Sequence, residues 1–262
     1  KRRSRALRPR SSRKKENSLP RTSAAPILAA FASLAVSSSA RAEDLTIVFR
    51  MAEKGGERVV THYFTAAMGR FDQGDRATIV NFASGRVVNI SMRKQQYSET
   101  TLAVIERAMT SMSAQMEKAM AGIPEGLRNQ MMGDASQEVA VTKGEARTIA
   151  GLSCQNYVVT LGEKMRMETC AATAIKPPFD PRNFRDLALA TSPIGPGNSG
   201  INRMVEKMRA IEGIPIASST SLSLLGKTVE TSMEATEIRK GPIDPSIFDT
   251  PSGFKKVDSP WR

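Results

Sequence analysis

LSCQNYVVTLGEKMRMETCAA, residues 152–172, contains both cysteines of the chain and decides how its sheet is built. Leu152–Thr160 and Met165–Ala172 alternate apolar and polar side chains on either side of Gly162-Glu163, the pattern of two strands joined by a hairpin turn. A turn centred on Gly162 sets Val159 opposite Met165 and Tyr157 opposite Met167, gathering apolar side chains on one face. The other face then pairs Val158 with Arg166, Asn156 with Glu168, and Cys154 with Cys170. A slip of one residue scatters the apolar set over both faces. Directly opposed strand residues have Cα atoms ~4.5–5.5 Å apart, within disulfide reach. The expectation is a Cys154–Cys170 disulfide; the alternative is two buried free thiols. No Cys-x-x-Cys redox motif is present, and two Cys with a single His make a poor metal set.

Upstream, the chain keeps the same period of two. Leu45, Ile47, Phe49 and Met51 share one face, Gly55-Gly56 turns, and Val59–Ala67 returns. Strands over Thr78–Phe82, Val87–Met92 and Gln95–Thr100 follow, split by Gly74-Asp75 and Ser84-Gly85, which reads as an antiparallel meander. The period then changes. Leu102, Ile105, Met109, Met112, Met116 and Met120 recur at steps of three and four, with Thr101 as N-cap and Gly122 and Pro124 as the stop. A broken helical piece is expected over Gly126–Met132 and a strand at Glu138–Thr142.

Downstream, Asp180-Pro181 opens a short helix over Arg182–Ala190, and Ser192–Gly200 is a loop. Ile201, Met204, Val205, Met208 and Ile211 form a second amphipathic stripe that stops at Gly213. Ile214–Leu224 and Val229–Ala235 make a closing hairpin about Gly226-Lys227. Strands stand before and after each helix, so no linker divides the chain. The expected fold is one α+β domain over residues 43–262, a curved antiparallel sheet covered by two or three helices.

The charge lies elsewhere. The 262 residues carry a net +12, but residues 1–42 hold 11 basic residues and one acid, a net of +10. Residues 43–262 are nearly neutral at +2, which removes the case for a nucleic-acid partner. Residues 1–42 have the three parts of an export signal: a basic stretch ending at Arg21, an apolar run Ala24–Val36, and Ala40-Arg41-Ala42 with small residues at the cleavage sites. About thirteen apolar residues are too few to span a bilayer. Cleavage is expected after Ala42, releasing a periplasmic protein; an organellar transit peptide is the alternative. No other segment is apolar enough to cross a membrane.

Catalytic chemistry is hard to find. His62 is the only His and sits in a strand pattern without a nucleophile beside it, and Gly195-Pro196-Gly197 lacks the context of a phosphate loop. No catalytic residue, metal ligand or cofactor is assigned. The unusual feature is methionine: 14, against three Tyr and one Trp. Met109, Met112, Met116, Met120, Met204 and Met208 read either as core or as an adaptable apolar groove for a hydrophobic ligand. Copper binding by these thioethers is a third reading, weakened by the lack of His.

Four short stretches carry a family resemblance: Tyr97-Ser98-Glu99-Thr100, Ala146–Tyr157 (ARTIAGLSCQNY), Gly213-Ile214-Pro215-Ile216, and Phe248 with Pro251-Ser252-Gly253-Phe254. With them the chain resembles the bacterial envelope family called domain of unknown function 4412, related in architecture to LolA-like lipoprotein carriers. The second Cys and the Met-rich helix are not attributable to that family. The resemblance implies an unclosed antiparallel half-barrel capped by helices, with an apolar concave side. It also implies a non-enzymatic binding or carrier protein for a lipid, lipoprotein or other hydrophobic molecule. The competing reading is an envelope protein-interaction module with a filled core and no ligand; an enzyme is the least supported.

Overall fold

The computed structural model describes residues 43–124, 138–163, 165–180, 183, 199–224 and 227–261. Twelve strands form one sheet: β1 Leu45–Glu53, β2 Gly56–Phe64, β3 Met68–Asp72, β4 Arg76–Asn81, β5 Arg86–Ser91, β6 Gln96–Thr101, β7 Val139–Ile149, β8 Leu152–Leu161, β9 Met165–Ala172, β10 Ile214–Leu224, β11 Lys227–Lys240 and β12 Lys255–Val257. Their order is β12-β6-β5-β4-β3-β2-β1-β11-β10-β9-β8-β7. Neighbours are antiparallel except β12, which runs parallel to β6. The N-terminal meander thus meets the C-terminal hairpin through β1 and β11, and the sheet stays unclosed between β12 and β7.

Two α-helices are described, α1 (Leu102–Met120) and α2 (Ser199–Met208). Thr101 caps α1 as its spacing predicts, its hydroxyl accepting from the Val104 N–H at 3.4 Å. Leu102, Ile105 and Met109 bury into the main core with Phe49, Val60, Phe71, Val80 and Val87. α2 packs on β7 and β8, where Met204 joins Val139, Val159 and Met165 in a separate cluster. The segments expected as helices over Gly126–Met132 and Arg182–Ala190, and the leader 1–42, lie outside the described residues.

Two strands escape the sequence pattern. The expected strand Val59–Ala67 ends at Phe64, because the Thr65 hydroxyl accepts from the N–H of Met68 at 3.0 Å and of Ala67 at 3.3 Å, turning the chain into β3. β12 is the other; it arrives after a 3-10 turn at Pro245–Phe248. That C-terminal segment lays Phe248 and Phe254 on Ala77, Ile79, Val88 and Ile90. β4 and β5 are therefore covered on both faces, which explains their nearly continuous apolar runs.

The cysteine hairpin requires a correction. Its register is centred on Glu163, not Gly162: Leu161 pairs with Met165, Val159 with Met167, and Cys170 with Asn156. Cys154 and Cys170 are therefore diagonal neighbours, not directly opposed. A shift of two positions leaves every side chain on the face assigned to it, so the hydrophobic pattern alone cannot separate the two registers. The disulfide forms all the same, with Cα atoms 5.4 Å apart.

Candidate functional site

The methionines proposed as a lining are divided by the fold. Met109 is 4% exposed in the main core, Met120 8% and Met204 3%, while Met112 on the outer side of α1 is 62% exposed. Met208 is half-buried against the α2 cluster. The Met116 side chain lies outside the described residues. Met109 and Met204 belong to different clusters, so the stripe does not enclose one space. Beneath α1, Leu102, Ile105 and Met109 pack with the buried side chains of the main core.

A hollow does exist on the sheet, and strand register makes it. One row of neighbours runs Asn156, Cys170, Ala217, Glu234, Arg50 across β8 to β1. The next runs Glu168, Ser219, Ser232, Ala52, Glu57 across β9 to β2. In the middle of both rows the side chains are small: Cys170, Ala217, Ser219, Ser232 and Ala52. The two rows lie two residues apart along each strand and so share a face, the small residues making a floor and the charged ones walls. The result is a trough of about 210 Å³.

Curvature closes it partly. Arg147 on β7 reaches over three intervening strands and donates to the Glu234 carboxylate on β11 at 3.1 Å. A flat sheet would hold these strands about 19 Å apart, so this face is concave. A bulge in β7 between Lys143 and Ala146 helps aim Arg147 inward, and the Gln155 amide pins it by donating to the Gly144 carbonyl at 2.6 Å. Glu168 is held by Arg166 at 2.6 Å. The concave space thus has charged walls, where the resemblance implies an apolar concavity. The sequence gives no local sign of it, because its walls come from seven strands. A wider depression of about 440 Å³, lined by Glu43, Asp44, Thr65 and Pro242 among others, is open to solvent and presents no large apolar side chain.

His62 is half-buried beside the core aromatics, its ring 4.7 Å from that of Phe49 and 4.8 Å from that of Phe71. Burial lowers its pKa to about 4, so it is neutral at pH 7. Among the described residues no three His, Cys, Asp or Glu side chains are grouped to hold a metal, and no helix is long and apolar enough to cross a membrane.

Several solved structures resemble this one. An uncharacterised conserved protein of Thermus thermophilus has a TM-score of 0.44 at 9% identity, covering 83% of this chain and 91% of that one. A LolA superfamily protein of Nitrosomonas europaea has a TM-score of 0.27 at 8% identity, over 80% of this chain and 91% of that one. The MucA/MucB complex of Pseudomonas aeruginosa gives a TM-score of 0.30 at 10% identity, over 80% of this chain and 56% of that one. No curated protein matches by sequence. The family described as Domain of unknown function (DUF4412) matches residues 46–254. The chain belongs to that family.

Proposed function

We propose that this is a non-enzymatic binding protein of the cell envelope, exported by cleavage after Ala42, that engages a partner protein. The observation that supports this over a lipid carrier is the state of its interior. Leu102, Ile105 and Met109 of α1 are buried in the main core, and the concave hollow has charged walls formed by Arg50, Glu57, Arg147, Glu168 and Glu234. A hydrophobic ligand would meet charged walls around the small apolar patches of Ala52, Ala217 and Met233 in that hollow, whereas a protein segment can match both its polar and its apolar groups. The export pattern and the Cys154–Cys170 disulfide fit an oxidising compartment.

The carrier reading remains the second one. It requires α1 to lift, which would open a lining of Met109 and Met120 with the exposed Met112 at its rim. Gentle purification from the native envelope followed by native mass spectrometry separates the two. A stoichiometric protein partner without lipid supports the proposal; stoichiometric lipid on an otherwise lone chain overturns it. N-terminal sequencing of the same material should begin at Glu43, and retention of Lys1–Arg41 would sink the export claim.

A further inference from the structure

We propose that the polar trough receives one arginine side chain of the partner protein, and that Arg147 occupies that place in the free protein. The inference rests on the protein-partner reading above and adds the chemistry of recognition. The trough's own contents point to that chemistry. Arg147 extends over three strands to reach Glu234, so the hollow already accommodates a guanidinium above its small-residue floor.

The walls favour a cation once Arg147 withdraws. Glu57, Glu168 and Glu234 then face Arg50 alone within the trough, with Arg166 holding Glu168 from outside it. Ser219, Ser232 and Asn156 supply neutral hydrogen-bonding groups around the remaining donors of a planar fork. The Arg147–Glu234 pair is also easy to displace, since its side chains are 50% and 45% exposed, and such pairs are held weakly. An incoming arginine therefore exchanges one exposed ion pair for another, and gains whatever the rest of the partner contributes.

The test uses the exported full chain and two peptides, acetyl-Ser-Arg-Ser-amide and its citrulline counterpart, which keeps the shape and loses the charge. Amide chemical shifts are followed on titration of wild type, Arg147→Ala, and Arg147→Ala combined with Glu234→Gln. The arginine peptide should shift Asn156, Ser219, Ser232 and Glu234, and bind Arg147→Ala about fivefold more tightly than wild type. The added Glu234→Gln change should reverse that gain, and citrulline should not bind. Arg209→Ala removes the exposed Arg209–Glu206 pair at the C-terminal end of α2 and should leave affinity unchanged, controlling for general charge effects. Equal binding of the two peptides, no gain in Arg147→Ala, or shifts mapping outside the trough would each overturn the inference. If those results came with a stoichiometric partner in native material, only this inference would fall. Without such a partner, the protein-partner reading falls too.

Discussion

His62 is enclosed by Phe49, Phe64 and Phe71, and its pKa falls from 6.5 to about 4 because burial disfavours the imidazolium. Between those values the unfolded chain binds a proton that the folded chain refuses, so stability is complete above pH 6.5 and declines as pH falls towards 4. The full shift would correspond to about 3 kcal/mol, and residual solvent access at this half-buried ring lowers the expected effect to about 2 kcal/mol. His62→Leu should remove that component: urea unfolding at pH 7.5 and 4.5 should show a smaller difference for the variant than for wild type. An unchanged pH difference would show that His62 is not the group responsible. The methionine stripe gives a second test at the same scale. Met109→Ala should cost about 2–5 kcal/mol, because it empties a packed position, whereas Met112→Ala should stay within about 0.5 kcal/mol. Similar losses at both positions would contradict the burial that separates them.

The β8–β9 hairpin is the element held most firmly by covalent means. Its disulfide closes a loop across a sequence separation of 16, so Cys154→Ser with Cys170→Ser should lower unfolding free energy by about 3 kcal/mol, chiefly by freeing the unfolded chain. Chemical denaturation with and without reductant measures this, and a variant as stable as the oxidised wild type would refute it. Elements of this kind were largely legible in the sequence. The period of two on each arm, the Thr101 cap and the Gly122-Pro124 stop are local signals, and they mark the same strands and helix that the structure contains. Signals fail where the cause is not local. The turn after Phe64 depends on one threonine hydroxyl in a stretch with ordinary strand propensity, and a register shift of two leaves the hydrophobic pattern unchanged. The trough was hidden for a stronger reason. Ala52, Cys170, Ala217, Ser219 and Ser232 are unremarked small residues until neighbouring strands set them side by side.

At the scale of the whole molecule, the C-terminal segment is a strap around one edge of the sheet. Phe248 and Phe254 cover Ala77, Ile79, Val88 and Ile90, β12 pairs with the edge strand β6, and Trp261 packs against the main core that contains α1. Arg70, only 9% exposed, donates to the Ile247 carbonyl and to Asp72 at 2.7 Å, which ties the strap to β3. Lys256 and Arg86 both hold Glu99, whose pKa they lower, but this exposed trio contributes little compared with the aromatic contacts. Phe254→Ala should therefore destabilise the strap by about 1–3 kcal/mol, less than the ~3–5 kcal/mol of a fully buried aromatic because Phe254 is only half-buried. Trp261 is the only tryptophan, so its fluorescence reports the strap directly while far-ultraviolet circular dichroism reports the sheet. In wild type the two probes should change together on urea unfolding, as expected when one cooperative unit includes the strap. In Phe254→Ala the fluorescence change should move to lower urea ahead of the loss of strand signal, because release of the strap exposes the apolar back of β4 and β5 without breaking their pairing. Coincident transitions in the variant at the wild-type midpoint would mean that Phe254 does not anchor the strap, and that β12 and the Arg70 contact hold it without aromatic help.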